Sequence, residues 1–312
     1  MRFGKLAAVA CVTTVMGLAA ASAALAQYAM VTEPVLADGP LEQVSPHVWV
    51  LRGFPNIAFV VGDKATLAID TGLGPRNGAT VAKIAARLST KGQKLYLTTT
   101  HYHPEHAGGQ SAFPKGTTVI RNRAQQVEMD TDGQRMIDFF SNSSPARKEL
   151  LAGVVPSKAD VLFDDKHVLD LGGVHADLYW FGPAHTAGDE IVFVREDATL
   201  VPGDVVENRL SPNINCDACS PKKWIKVLDR IAVLKPQHIV PDHGDLGGGA
   251  LVAQERAYLV DLQAEADALK AKGVSADDAG KQIAAAFAVK YPNWFGMQNL
   301  PAITKKAYAD AP

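Results

Sequence analysis

Short apolar runs broken by turn residues fill the first two thirds of the chain, and longer helical periods take over near its C-terminus. Val48–Leu51, Ile57–Val61 and Ala65–Ile69 are β-rich runs separated by Gly, Pro, Asn and Asp, a pattern that predicts three strands. Asp70-Thr71-Gly72 closes the third. Val81, Ile84, Ala85 and Leu88 then recur at i, i+3, i+4 and i+7 with Gly92 beyond them, which predicts an amphipathic helix. Residues 95–100 read as a strand running straight into His101. Strands are also expected at 117–120, 191–194, 199–202 and 239–241, with a hairpin of 168–171 and 176–180 turned at Gly172-Gly173. Residues 123–152 read as mostly helical with a break near 141–145, and Trp224, Val227, Leu228 and Ile231 mark a helix over 224–234.

From residue 250 the period is helical throughout. Leu251, Tyr258, Leu262 and Leu269 lead up to Gly273, and a second helix starts at Ser275, whose hydroxyl can cap it with Asp278 three positions on. Tyr291-Pro292-Asn293-Trp294 is a break before a short terminal helix. This tail reads as an appendage on the core, not as an independent domain. At the other end, Arg2 and Lys5 precede a mildly apolar stretch to about residue 21, and Ala24-Leu25-Ala26 offers a small-x-small cleavage site. The pattern predicts a secretory signal peptide over 1–26, with an uncleaved anchor as the alternative. The expected organisation is therefore a signal peptide at 1–26, a catalytic domain at 27–248 and a helical extension at 249–312. The location would be periplasmic or secreted, with no stable membrane insertion after cleavage.

Composition narrows the picture. The chain has 312 residues, 47% hydrophobic and 21% charged, which suits a globular fold. Cleavage removes two basic residues, so Lys+Arg falls from 31 to 29 against 33 Asp+Glu, a net charge of −4. With no basic run and no aromatic-basic interleaving, nucleic acid is excluded as a partner and a small-molecule substrate is expected. Oligomeric state stays open. Cys216 and Cys219 are the cysteines left after cleavage. A local disulfide, two free thiols, and a metal or redox role all remain open for them.

The chemistry concentrates at residues 98–109, Thr-Thr-Thr-His-Tyr-His-Pro-Glu-His-Ala-Gly-Gly. His101, His103, Glu105 and His106 supply three imidazoles and a carboxylate within six positions, donors that suit zinc and related divalent ions. Alternation puts His101 and His103 on one side of an extended backbone, and Pro104 then turns the chain. Four nearby donors cannot complete a two-metal site, but His185, Asp204 and His243 each follow a short predicted strand and a Gly or Pro turn. His47, His167, His175 and His238 lack that context.

Taken in order, His-x-His-x-acid-His, Gly-Pro-x-His-Thr-x-Gly, strand-Gly-Asp and strand-Pro-x-His-Gly resemble the metallo-β-lactamase superfamily over residues 45–246. The resemblance implies an α/β fold, an αββα four-layer sandwich with the C-terminal helices as an extension. It also implies two Zn2+ ions, although iron or manganese suits the same donors. His101, His103 and His185 would hold one, Glu105, His106 and His243 the other, and Asp204 would bridge them. Asp70 and Thr186 would be supporting residues. Glu105 stands where the family usually has Asp, and Asp242 where it usually has Gly, positioned to orient a ligand histidine. The implied activity is that of an exported dinuclear metallo-hydrolase turning a metal-bound hydroxide on a small ester, lactone, thioester or amide, with Glu105 relaying the proton. Asp204 resembles the bridging residue of glyoxalase II and the lactonases. Activity on β-lactams is the alternative enzyme reading, and a non-catalytic metal-binding protein the alternative of another class.

Overall fold

The computed structural model describes residues 32–90, 92–214 and 216–311. The expected signal peptide at 1–26 lies outside them. Strands β1 (Leu41–Ser45), β2 (Val48–Leu51), β3 (Ile57–Val61) and β4 (Ala65–Ile69) form an antiparallel meander. Helix α1 (Gly74–Leu88) returns the chain to β5 (Lys94–Thr98), parallel to β4. After the one-turn helix α2 (Pro104–Ala107) comes β6 (Thr118–Asn122), and after α3 (Arg123–Thr131), α4 (Gly133–Ser143) and α5 (Pro145–Leu150) comes β7 (Val161–Phe163). Both strands extend the parallel half of this first sheet.

The second sheet begins with the antiparallel strands β8 (Lys166–Asp170), β9 (His175–Trp180), β10 (Glu190–Val194) and β11 (Thr199–Val201). Helix α6 (Pro221–Val233) leads to β12 (His238–Ile239), parallel to β11, and β13 (Gly247–Gly248) closes the edge. Helices α7 (Ala250–Ala271), α8 (Ala276–Lys290) and α9 (Leu300–Asp310) finish the chain. Among the described residues no helix is long and apolar enough to cross a membrane.

The two-residue period of the strands builds the layers. On β3, Ala58 and Val60 face the second sheet, while Ile57 and Phe59 face α1 through Val81, Ile84 and Ala85. On β10, Val192 and Val194 face the first sheet, while Ile191 and Phe193 pack with α6 and α7 through Trp224, Leu228, Tyr258 and Leu262. Each sheet is therefore apolar on both faces, and the result is helix, sheet, sheet, helix. Each large side chain so buried contributes about 1.5–3 kcal/mol. Ser275 caps α8 by accepting from Asp278 N–H at 3.2 Å, and Tyr258 stacks on Trp294 with ring centres 4.4 Å apart, tying α7 to the segment before α9.

Three local differences from the sequence reading have physical causes. Strand β5 ends at Thr98, not at residue 100, because the next threonines turn to other partners: Thr99 Oγ1 bonds Gln125 Oε1 at 2.5 Å, and Thr100 N–H donates to Asp70 Oδ1 at 2.7 Å. The expected helical stretch breaks at Ser144, within the expected 141–145, where the hydroxyl caps α5 by accepting from Arg147 N–H at 3.2 Å, but it is also split at Asp132. Strands β1, β7 and β13 go beyond the expected set; they are edge strands too short or too polar to show a period.

Candidate metal centre

The loop after β5 is shaped by its own residues. His103 has extended backbone, and Pro104, with φ preset for a first helical position, starts α2 right after it. That single turn carries Glu105 and His106 back toward His101. All four side chains are buried, His101 at 1% and Glu105 at 5% exposure. The Asp70-Thr71-Gly72 element anchors the turn from behind: Thr71 N–H and Oγ1 both donate to the His106 carbonyl at 2.8 Å, and Gly109 N–H donates to Thr71 Oγ1 at 2.9 Å. Two glycines permit this contact. A Cβ on Gly109 would lie 2.8 Å from Gly78 Cα, and one on Gly78 would lie 2.0 Å from the Gly109 carbonyl oxygen.

The second sheet supplies the other side. His185 follows β9 in a turn organised by Asp189, which accepts from Thr186 N–H at 3.0 Å and from Thr186 Oγ1 at 2.6 Å. Asp204 follows β11, and His243 follows β12. The structure brings all seven sequence-predicted donors together. His101 Nε2 lies 3.0 Å from His103 Nδ1, which lies 3.4 Å from His185 Nε2. Glu105, His106 and His243 form a second group whose donor atoms lie within 4.8 Å of one another. Asp204 stands between the groups: its Oδ1 is 3.4 Å from His243 Nε2 and 3.7 Å from His106 Nε2, and its Oδ2 is 3.5 Å from His185 Nε2.

Outer contacts orient the rings. His185 Nδ1 donates to the Asn213 carbonyl at 2.6 Å, which leaves Nε2 as the acceptor facing the site. His106 Nδ1 is 3.0 Å from Asp70 Oδ2 and 3.2 Å from Asp242 Oδ2, so its Nε2 faces inward. Thr100 Oγ1 lies 2.9 Å from each of those carboxylates. The His243 backbone N–H donates to Glu207 Oε1 at 3.1 Å, and Phe54 packs on the His243 ring at 4.6 Å. Asp242 therefore does touch a ring of the site. Thr100, Glu207, Asn213 and Phe54 escaped the sequence reading, since nothing in residue type or spacing distinguishes them. The structure joins Cys216 to Cys219 by a disulfide, in the loop that carries Asn213.

Burial and charge set the protonation. Burial, then the neighbouring imidazoles, holds His101 well below the ordinary histidine value, so the ring is neutral and its lone pair available. His103 is likewise well below it through burial and then His185, and burial brings His243 to about 4. Burial opposes ionisation of Asp204, yet His243, His106 and His185 hold it down at about 2. Burial raises Glu105 to about 7. Burial also disfavours charge on His106, but Asp70 and Asp242 push it well above the ordinary value.

These residues fit a metal. His106 Nε2, Glu105 Oε2 and Asp204 Oδ1 are buried without a hydrogen-bond partner, an arrangement costly for a protein unless a cation completes it. Tetrahedral zinc with Zn–N near 2.0–2.1 Å spaces its donors roughly 3.3 Å apart, close to the contacts among His101, His103 and His185.

An αββα sandwich with such a donor cluster at the ends of its strands defines a metal-dependent hydrolase. The chain belongs to the metallo-beta-lactamase superfamily, whose family model matches residues 50–243. No curated protein matches the sequence. Among solved structures, a metallo-beta-lactamase from Pontibacter korlensis is similar at 19% identity and a TM-score of 0.56, over 71% of this chain and 98% of that one. The stereoselective inverting sec-alkylsulfatase Pisa1 from a Pseudomonas species is similar at 17% identity and a TM-score of 0.64, over 86% of this chain and 50% of that one. The DIM-1 metallo-beta-lactamase is similar at 15% identity and a TM-score of 0.54, over 71% of this chain and 97% of that one. At such identities the likeness concerns the fold.

Proposed function

We propose that the protein is an exported dinuclear zinc hydrolase of small esters, lactones, thioesters or amides. The observation that carries this reading is Asp204, whose two oxygens face different histidine groups, Oδ1 toward His106 and His243 and Oδ2 toward His185. In this reading His101, His103 and His185 hold one ion, Glu105, His106 and His243 the other, and Asp204 both. Residues 27–248 form the catalytic unit and 249–312 its helical extension. The basic and apolar start of the sequence, with its cleavage site at Ala26, supports export to the periplasm or beyond.

When bound, two such ions would supply Lewis acidity and bring the pKa of water near neutrality. The chain's own residues do the rest. Glu105 lies among the donors, beside Asp204 and His106, and in this reading relays the proton of the nucleophile as well as holding an ion. Asp70, Asp242 and Asn213 hold the rings of His106 and His185 in place. Phe54, Met136 and Phe140 line the opening above the centre and give its wall an apolar surface.

Activity on β-lactams is the second reading, favoured by the two lactamases matched over 98% and 97% of their lengths. The carboxylate at 204 weighs against it, since at that position the resemblance is to the bridging residue of glyoxalase II and the lactonases. Metal analysis of the purified protein should give close to two zinc per chain; one or none sinks the dinuclear mechanism, and iron or manganese corrects the metal. Assay against lactones, thioesters, β-lactams and phosphoesters then shows which bond is cleaved.

A further inference from the structure

A cavity of about 520 Å3 opens over the metal centre, within the usual range for small-ligand sites. Its floor includes His103, Glu105, His185 and Asp204, and its walls are largely apolar. Arg147, from α5, is the only arginine or lysine among the described residues that line it. The guanidinium carbon lies 5.3 Å from the Phe54 ring centre and 5.4 Å from that of Phe140, both within cation–π range. Phe54 rests on His243 at 4.6 Å, and Phe140 lies 6.3 Å from His103. Two rings that each lean on a different member of the donor set therefore brace this one cation.

Its fork is only partly used, and its charge reaches the Glu105 carboxylate without an ion pair. Arg135, on the neighbouring α4, is clamped by both oxygens of Asp132 at 2.5 and 2.7 Å. Arg147 has no carboxylate within ion-pair distance among the described residues, and its side chain donates to Ser143 Oγ at 3.3 Å. A guanidinium offers five N–H donors in a planar fork matched to an oxyanion. Beside it, Phe139 is 63% exposed and meets Phe140 edge-on at 5.9 Å, so an apolar wall runs outward from the cation.

We propose that Arg147 receives a carboxylate or similar oxyanion of the substrate, carried on an apolar chain that lies along Met136, Phe139 and Phe140. This names the substrate class of the hydrolase reading and rests on it. Two measurements on the metal-loaded protein test it, with Arg147→Gln and Arg147→Lys as variants. In the first, kcat/KM is compared for 4-nitrophenyl hexanoate and the 4-nitrophenyl monoester of adipic acid, which differ by a terminal carboxylate. The preference for the anionic ester should fall at least tenfold in R147Q and in part return in R147K. In the second, calorimetry measures binding of 1-hexanesulfonate, a poor metal ligand; R147Q should weaken it at least tenfold and R147K less. An unchanged ester preference, or sulfonate binding by R147Q within twofold of wild type, overturns the proposal, since a purely structural brace would lower both esters alike. If wild type cleaves neither ester, the ester part of the proposed substrate range loses its support, and sulfonate binding alone then decides the role of Arg147.

Discussion

Asp70 and Asp242 both touch His106 Nδ1, yet their substitution by Asn should have very different effects. Burial and then the charge of Asp70 push the Asp242 carboxyl well above its usual range, so of the two carboxyls Asp242 is disfavoured as an anion and is the closer to an amide. Asp70 accepts from Thr100 N–H at 2.7 Å, from Thr100 Oγ1 at 2.9 Å and from His106 Nδ1 at 3.0 Å, all without exposure to solvent. A hydrogen bond to a charged group contributes about 1.5–3 kcal/mol. Loss of a carboxylate behind a ligand histidine costs 10–100-fold in metal affinity, or about 1.4–2.7 kcal/mol, so the two scales agree. Asp70→Asn should therefore weaken metal binding at the proposed Glu105, His106 and His243 site by roughly tenfold or more, and at the proposed His101, His103 and His185 site far less. Asp242→Asn should change either affinity by less than about threefold, since it replaces a carboxyl whose charge burial and Asp70 already disfavour. The assay is a competitive chelator titration that resolves the two binding steps, with circular dichroism to confirm the fold. Equal losses in both variants, or an Asp70→Asn effect on the first ion alone, would refute the division of roles between these carboxylates.

Three further outcomes are expected. Glu190 is buried with its carboxyl raised by burial to about 8, against an ordinary 4.5, and it accepts from Asn122 N–H at 2.9 Å. Its folded pKa is the higher one, so stability is lost as pH rises from about 4.5 to 8, by as much as about 5 kcal/mol. Urea unfolding at pH 5 and pH 9 should show that loss shrinking in Glu190→Gln; identical pH profiles would contradict it. Glu105→Asp withdraws the carboxylate by about 1.5 Å from a position where Oε1 is already 3.8 Å from His106 Nε2, so the second ion should bind about tenfold more weakly and turnover should fall. Tighter binding would instead show that the natural Glu is a compromise. Trp224 is fully buried, donates to the Val205 carbonyl at 3.0 Å and lies edge-on to His185 at 6.2 Å. Trp224→Ala should cost about 3–5 kcal/mol in urea unfolding, while Trp224→Phe should cost clearly less.

The clustering of these side chains was legible because the residue types that metal binding favours are rare, and His101, His185, Asp204 and His243 each stand just past an apolar run with a turn residue nearby. The central strands were legible for a related reason: Val60 and Phe59 need opposite partners, and that need is written as a period. What stayed hidden depends on contacts made across the fold. Asn213 serves His185 through a main-chain carbonyl, which any residue could provide. Thr100 matters for where its hydroxyl lies between two distant carboxylates, and Arg147 for the rings on either side of it. Edge strands such as β13, two glycines long, have no side chains from which a period could be read.

The seven donors are divided between two sheets, with His101, His103, Glu105 and His106 beyond β5 and with His185, Asp204 and His243 beyond β9, β11 and β12. In the proposed arrangement each ion would draw donors from both sheets, so its coordination would be complete only once the two have docked. An ion so held would act as a rivet between the halves of the sandwich, and the sheets would part at that edge only as fast as the metal left. Metal release would then be a clock for the slowest breathing motion of this protein.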